Sequence, residues 1–214
     1  VNQGKFIVVE GIEGAGKSSA IAIIQSILTQ HQISFINTRE PGGTPLAEQL
    51  RTIVKAVHHD EVITPECELL LMYASRSQLI HNRIKPALLR GDWVLGDRHD
   101  LSSRAYQGGG RAFTDETIDA IANVTLQGFK PDLTLYLDID PEIGLTRAKN
   151  RGELDRIELE KLDFFHRVRA KYQTIAASDD SIVTIDASLP MDAVHHNISN
   201  AIKYFIDEAA QCTP

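Results

Sequence analysis

The chain of 214 residues is long enough for one α/β domain with a sizeable core, and its formal net charge is −7. The acidic balance argues against a nucleic-acid-binding surface, and no apolar run approaches the roughly 18 residues of a membrane span. No signal peptide is visible, and Cys67 and Cys212 lie far apart in sequence, without the spacing of a metal or disulfide framework. We therefore expect a cytoplasmic protein without a nucleic-acid or membrane partner.

Short apolar runs alternate with longer helical patterns along the chain. The runs predict five buried parallel strands, at Lys5–Glu10, Ser34–Thr38, Trp93–Asp97, Leu133–Asp138 and Ile182–Asp186. The other segments predict helices at Ser18–Gln30, Pro45–Val57, Pro65–Arg90, Asp115–Gln127, Pro141–Arg147, Glu158–Ser178 and Pro190–Ala209. This alternation predicts one α/β domain over residues 1–214, a three-layer α/β/α arrangement with a five-stranded parallel sheet. Ligands of such sheets bind at the carboxyl ends of the strands.

The first predicted strand leads into Gly11–Ser18, which has the phosphate-loop pattern G-x-x-x-x-G-K-[ST] followed by a helix. Its glycines allow backbone N–H groups to turn toward phosphate oxygens, and the helix adds its positive dipole end. The Lys17 ammonium can reach the β and γ phosphates, and the Ser18 hydroxyl can ligate Mg²⁺. The predicted triphosphate-binding residues are Gly11, Ile12, Glu13, Gly14, Ala15, Gly16, Lys17 and Ser18.

Two further segments with residues that could bind a ligand follow the second and third predicted strands. Arg39 and Glu40 precede a tight Pro-Gly-Gly turn. This segment could belong to a functional site, or it could be an ordinary solvated turn. Asp97 and Arg98 lie at the end of a buried strand, where a charged group is costly unless it forms an ion pair or has a functional role. Asp97 can organise a metal shell and Arg98 can clamp a phosphate, and the alternative is an internal structural ion pair.

A basic segment and a helix face complete the candidates. Residues 147–156 contain four basic side chains around a glycine, which favours a lid that brings positive charge onto polyphosphate rather than a solvated loop. Met72 and Arg76 are four residues apart and share a helix face. That face could hold a planar base, or it could be an ordinary core stripe with an exposed arginine.

Together these segments resemble bacterial thymidylate kinases, which make dTDP from dTMP and ATP, over essentially the whole chain. The most specific match is Asp97–Gln107, and the Arg39–Thr44 turn also matches. Arg151–Arg156 resembles the lid of the enterobacterial type, in which the lid supplies the catalytic arginine. Ala15 agrees with that type, because the other type carries arginine at this loop position. The resemblance implies a P-loop nucleoside monophosphate kinase fold with a lid at about 147–156.

The resemblance also implies roles for individual residues. The implied catalytic residues are Lys17, Arg98 and Arg151, the metal residues are Ser18 and Asp97, and Arg147 joins the phosphate loop in binding ATP. The implied dTMP-binding residues are Glu13, Arg39, Met72, Arg76, Arg98, Ser103, Tyr106 and Gln107. Glu13 matches the residue that binds the sugar 3′-hydroxyl, and Tyr106 matches the ring that crowds out a 2′-hydroxyl. Met72 departs from the family's usual aromatic residue, although a thioether can still pack on a ring.

The expected reaction is in-line transfer of the ATP γ-phosphoryl group to dTMP with Mg²⁺ as cofactor, in a homodimer. The nearest alternative is a kinase for another nucleoside or nucleoside monophosphate. A GTP-binding switch would need an Asn-Lys-x-Asp segment, and the closest matches, Asn82–Lys85 and Asn150–Glu153, do not fit it. A nucleotide-binding paralogue without activity is the third alternative, although competent residues occupy every implied catalytic position.

Overall fold

A computed structural model describes residues 4–58, 60–150 and 155–211. Its five strands are β1 (Phe6–Glu10), β2 (Phe35–Arg39), β3 (Trp93–Asp97), β4 (Leu133–Asp138) and β5 (Ile182–Asp186). They form one parallel sheet in the order β2-β3-β1-β4-β5, so the predicted fold class is confirmed. The α-helices are α1 (Lys17–Gln30), α2 (Pro45–Lys55), α3 (Pro65–Leu79), α4 (Lys85–Leu89), α5 (Asp100–Ser103), α6 (Asp115–Leu126), α7 (Pro141–Lys149), α8 (Leu162–Ala176) and α9 (Met191–Gln211).

The central strand β1 is buried on both faces of the sheet. Because side chains alternate along a strand, Ile7 and Val9 belong to the core beneath α1, α8 and α9, whereas Phe6 and Val8 belong to the core with α3 and α6. These two cores separate the three layers. Since β1 lies between β3 and β4, the connections after β1 and β3 diverge at its carboxyl end, where a ligand crevice is expected.

Two π-helical turns, which the sequence patterns do not predict, modify the helices. The predicted helix Pro65–Arg90 consists of α3, a π-helical turn at Ile80–Ile84, and α4. Pro86 is the second residue after this turn; it lacks an N–H group, and its ring would crowd a regular α-helical ladder. The second π-helical turn, Arg104–Gly110, continues α5, in a segment for which no helix was predicted.

The other predicted helices agree with the structure within a few residues at their ends. The largest difference is α8, which begins at Leu162 rather than at Glu158. Residues 156–159 instead form a separate turn, because the Asp155 carboxylate accepts hydrogen bonds from the N–H groups of Ile157 and Glu158. In the described ranges, no helix combines the length and apolar composition that crossing a membrane requires.

Candidate functional site

The phosphate loop turns sharply after β1 because its glycines have positive φ angles. The φ angles of Gly11, Gly14 and Gly16 are 140°, 74° and 94°, which residues with a Cβ rarely adopt. Gly14 also has no room for a side chain, since a Cβ there would lie 1.9 Å from the carbonyl oxygen of Gly144 in α7. Gly16 is the N-cap of α1 and provides no side-chain cap, so N–H groups of the first helical turn can serve an anion.

Lys17, the first residue of α1, lies half-buried beside this loop. Its ammonium donates hydrogen bonds to the carbonyl oxygens of Gly11 and Ile12, at 2.9 and 3.0 Å. Burial and the charge of Arg98 lower the pKa of Lys17 from its usual 10.5 to about 8, despite the opposing attraction of Glu13. An anion in the loop would offset the cost of keeping the buried Lys17 charged beside Arg98, and would therefore favour the charged form of the lysine.

The Arg98 side chain reaches the phosphate loop from the residue after β3. Its φ of 72° is left-handed, which is uncommon for arginine. The guanidinium donates to a Glu13 carboxylate oxygen at 2.7 Å and to Ser102 Oγ at 3.1 Å, and lies 5.0 Å from the centre of the Tyr106 ring. The Tyr106 hydroxyl donates to the other Glu13 oxygen at 2.6 Å. Burial raises the pKa of Glu13, but Arg98 and Lys17 outweigh it and hold this pKa below its usual value.

A buried carboxylate, Glu10 at the end of β1, holds the segment that follows Arg98. It accepts hydrogen bonds from the N–H groups of His99 and Ser102, at 2.7 and 3.2 Å. It also accepts from the hydroxyls of Ser102 and Tyr172, at 2.6 and 2.8 Å. Burial is the main reason why the pKa of Glu10 is raised. These bonds anchor the start of α5 and therefore fix the backbone from which Arg98 reaches the loop.

A second buried cluster, which we call the acceptor wall, consists of Glu40, Arg76, His99, Asp100 and Ser103. The Arg76 side chain is fully buried, and its Nε donates to Glu40 at 2.7 Å. Its two terminal nitrogens donate to the His99 carbonyl oxygen, Ser103 Oγ and Asp100, at 3.0, 2.9 and 3.4 Å. Burial lowers the pKa of Arg76, but Glu40 and Asp100 outweigh it and raise this pKa above its usual range. Salt bridges therefore hold the guanidinium in one position.

One cavity of about 390 Å³ joins the phosphate loop to residues from α3 and the second π-helical turn. Of the predicted site residues, it is lined by Glu13, Gly14, Gly16, Lys17, Ser18, Arg39, Met72, Asp97, Arg98, Tyr106, Gln107 and Arg147. The remaining described ones, Gly11, Ile12, Ala15, Arg76 and Ser103, are buried behind this lining. The predicted contact of Arg76 and Ser103 with a base stays a prediction.

Arg51 in α2 is a cavity residue that sequence reasoning missed. Its guanidinium donates to the Pro41 carbonyl oxygen at 2.8 Å, whereas the predicted Arg39 is more exposed and pairs with Glu48 at 2.9 Å. Burial and the charge of Arg39 lower the pKa of Arg51. Two mutually repelling guanidinium groups on one cavity suit an anionic ligand. The sequence offered one signal, since Arg51 lies two helical turns after the Pro-Gly-Gly turn.

Comparisons with known proteins agree with this geometry. The family model described as thymidylate kinase matches residues 9–198. A thymidylate kinase of Colwellia psychrerythraea is 64% identical over 206 residues, covering 96% of this chain and 97% of the relative. Those of Pseudoalteromonas translucida and Alteromonas mediterranea are 61% and 55% identical, and cover 95% and 98% of this chain and 98% and 96% of the relatives.

The chain belongs to the thymidylate kinase family.

The two ends of the predicted thymidylate kinase lid contact different parts of the molecule. At its start, Arg147 donates to the carbonyl oxygen of Ala187, at 3.3 Å, in the loop after β5. At its end, Asp155 pairs with Lys55 of α2 at 2.7 Å. Arg156 donates to the Val54 carbonyl oxygen and to Glu68, contacts that sequence reasoning also missed. The predicted catalytic residue Arg151 lies outside the described residues, as do the three positions after it.

The metal site expected for a thymidylate kinase fits two residues beside the phosphate loop. Asp97 Oδ1 is buried and has no hydrogen-bond partner in the described part of the chain, although it lies on the cavity. Ser18 lines the same cavity and is exposed. No group of three or more His, Cys, Asp or Glu side chains able to hold a metal occurs among residues 4–58, 60–150 and 155–211. This donor set suits Mg²⁺, which usually takes one or two protein ligands and completes its shell with phosphates and water.

Proposed function

We propose that this chain transfers the γ-phosphoryl group of ATP to the 5′-phosphate of dTMP, producing ADP and dTDP. The observation that carries the proposal is one cavity, which the phosphate loop lines together with Met72, Tyr106 and Gln107. We assign the phosphate loop to the donor end of this cavity and these three side chains to its acceptor end. A triphosphate on the loop and a nucleotide at the other end would meet at Arg98. Membership of the thymidylate kinase family identifies the acceptor, and it favours dTMP over other nucleosides and nucleotides.

Positive charge at the junction is the main catalytic contribution in this proposal. Both reactants are anions, so their approach requires cations that are already positioned before transfer begins. Lys17 reaches the donor phosphates, Arg98 bridges the donor and acceptor phosphates, and Arg151 adds charge from the lid. The phosphoryl group passes directly between the two oxygens, and no covalent enzyme intermediate forms. Holding the reactants in line supplies much of the remaining rate enhancement.

The acceptor end would recognise the sugar and base through separate groups. The Glu13 carboxylate accepts a hydrogen bond from the 3′-hydroxyl, and the Tyr106 ring excludes a 2′-hydroxyl. Met72 packs on the face of thymine and Gln107 contacts its edge, and the predicted Arg76 and Ser103 support that edge from behind the cavity lining. In addition to Arg39, we assign Arg51 to the acceptor phosphate, because its guanidinium lies on the cavity and is the more buried of the two.

Ser18 and Asp97 would hold Mg²⁺ with the phosphates of ATP. When bound, the ion supplies a Lewis acid that neutralises charge on the phosphate oxygens. The phosphate-loop N–H groups, from Gly11 through Ser18, cradle the same oxygens, and Arg147 lies toward the adenine side. Resemblance to the family further supports a single domain over residues 1–214, a lid at about 147–156, a homodimer and a cytoplasmic location.

Steady-state phosphoryl transfer with a panel of acceptors tests this function. With ATP and Mg²⁺, kcat/KM for dTMP should exceed the values for dCMP, dGMP and UMP. A matched measurement with Met72→Phe, which restores the usual aromatic residue, should change the KM for dTMP. An acceptor that outperforms dTMP would overturn the assignment, and an unchanged KM in Met72→Phe would remove Met72 from the base site.

A further inference from the structure

Glu68, in the first turn of α3, is a buried carboxylate that the proposed chemistry does not use. Only 1% of its surface is exposed. It accepts hydrogen bonds from Arg111 Nε and Nη2 at 3.1 and 2.9 Å, and from Arg156 Nη2 at 2.6 Å. It also accepts one from Gln107 Nε2, at 2.8 Å. Gln107 and Arg111 from one segment and Arg156 from a distant one therefore meet at one carboxylate.

The two arginines keep Glu68 ionised and fix its position. Arg111 contacts both carboxylate oxygens and also pairs with Glu160, while Arg156 is held by the carbonyl oxygen of Val54. Burial alone would raise the pKa of Glu68, but the hydrogen bonds from Arg111, Gln107 and Arg156 hold it below its usual value. An ionised carboxylate can only accept hydrogen bonds.

This restriction sets the orientation of the Gln107 amide. The side of the amide that faces Glu68 must be its NH₂ group, because a carbonyl oxygen there would face a second acceptor. The carbonyl oxygen Oε1 is then directed away from Glu68. It is buried and has no hydrogen-bond partner within the described ranges, although Gln107 lines the cavity. A buried acceptor without a donor is costly, so a ligand that supplies one is favoured.

We propose that Glu68 is a specificity-determining positioning residue, which orients Gln107 so that its carbonyl oxygen selects acceptor bases carrying a ring N–H group. This inference rests on the proposed function. Thymine and uracil carry such a group at N3, whereas cytosine has a lone pair there. The lone pair would repel the fixed carbonyl oxygen. The orientation of Gln107 therefore favours dTMP over dCMP independently of the thymine methyl group.

The decisive experiment compares kcat/KM for dTMP, dUMP and dCMP in wild type and in Glu68→Gln. An amide at position 68 can donate as well as accept, so the Gln107 amide is free to turn. We expect the dTMP to dCMP ratio to fall by about tenfold or more. The dUMP to dCMP ratio should fall by a similar factor, because uracil carries the same ring N–H group.

Two further variants separate this role from a structural one. Gln107→Met removes the carbonyl oxygen but leaves the arginines on Glu68, so it should lower both ratios even if Glu68→Gln does not fold. Arg111→Gln removes two hydrogen bonds to Glu68 but leaves Arg156 on the carboxylate, which is enough to keep it ionised, so it should lower the melting temperature but leave the ratios within about twofold of wild type. The inference is overturned if Gln107→Met keeps the wild-type ratios, or if Arg111→Gln lowers them as much as Glu68→Gln does. A wild-type protein inactive on dTMP would instead refute the proposed function.

Discussion

The phosphate loop lines the cavity, whereas the acceptor wall lies mostly behind it, with Glu40 on the lining, and different interactions give the two regions their shapes. The loop is shaped by the backbone of eight consecutive residues, with positive φ angles at Gly11, Gly14 and Gly16. The wall is shaped by side chains that are distant in sequence, such as Arg76 and Glu40, which are 36 positions apart. Backbone geometry can be encoded locally, whereas a buried ion network exists only once the whole sheet has assembled.

Among the substitutions that test this difference between the two regions, the largest effect is expected in the acceptor wall. Glu40→Gln leaves the fully buried Arg76 guanidinium without its closest carboxylate, which should lower the free energy of unfolding by about 3–5 kcal/mol. Lys5→Met is the matched control, because it removes the half-exposed pair with Asp132 and should cost no more than about 1 kcal/mol. Urea denaturation measures both values. Equal losses in the two variants would show that burial of the network is unimportant.

A substitution in the predicted lid tests whether the donor and acceptor parts of the site must be brought together for catalysis. Arg151→Ala should lower kcat by two to three orders of magnitude, on the scale of arginine fingers, because positive charge at the transferring phosphoryl group is lost. Single-turnover kinetics with ATP and dTMP measures the chemical step directly. A kcat within about twofold of wild type would mean that another residue supplies this charge.

A smaller effect is expected from crowding the phosphate loop. In Gly14→Ala the new methyl group meets the Gly144 carbonyl oxygen at a positive φ, which should cost about 2–3 kcal/mol and weaken ATP binding. Gly128→Ala is matched in backbone conformation, with φ of 79°, but has nothing within 4 Å of the added Cβ. It should therefore cost only about 1 kcal/mol and leave ATP binding unchanged. Thermal unfolding and ATP titration of both variants separate crowding from backbone strain.

The smallest predicted effect is a pH dependence of ATP binding through Lys17. The pKa of this lysine is about 8 in the free protein, and bound phosphates raise it, so binding takes up a proton above pH 8. ATP affinity should therefore be constant below this pH and fall by up to about tenfold per pH unit above it. Calorimetry in buffers of different ionisation enthalpy measures the proton uptake. Lys17→Met should abolish it, and uptake that persisted in this variant would assign it to another group.

The contrast between the phosphate loop and the acceptor wall also explains which features could be predicted from the sequence. The five strands and the loop glycines follow local patterns, since apolar runs and the spacing from Gly11 to Ser18 constrain the backbone directly. The segment Asp97–Gln107 was recognised as important, but its helical structure was not predicted. That structure depends on Glu10, which is 162 positions from its partner Tyr172. Arg51, Glu68 and the contacts of Arg156 were missed for the same reason, because only the folded chain brings Arg51 to the cavity and brings Gln107 and Arg156 to Glu68.

The most direct test of the account is calorimetric titration with a dinucleotide that joins adenosine to thymidine through five phosphates. If one cavity holds both substrates, one molecule of this ligand should bind per chain, and binding should exclude both ATP and dTMP. Arg98→Ala should weaken its binding, because this residue lies at the junction of the two ends. A dinucleotide that competes with ATP but leaves dTMP binding unchanged would contradict the shared cavity.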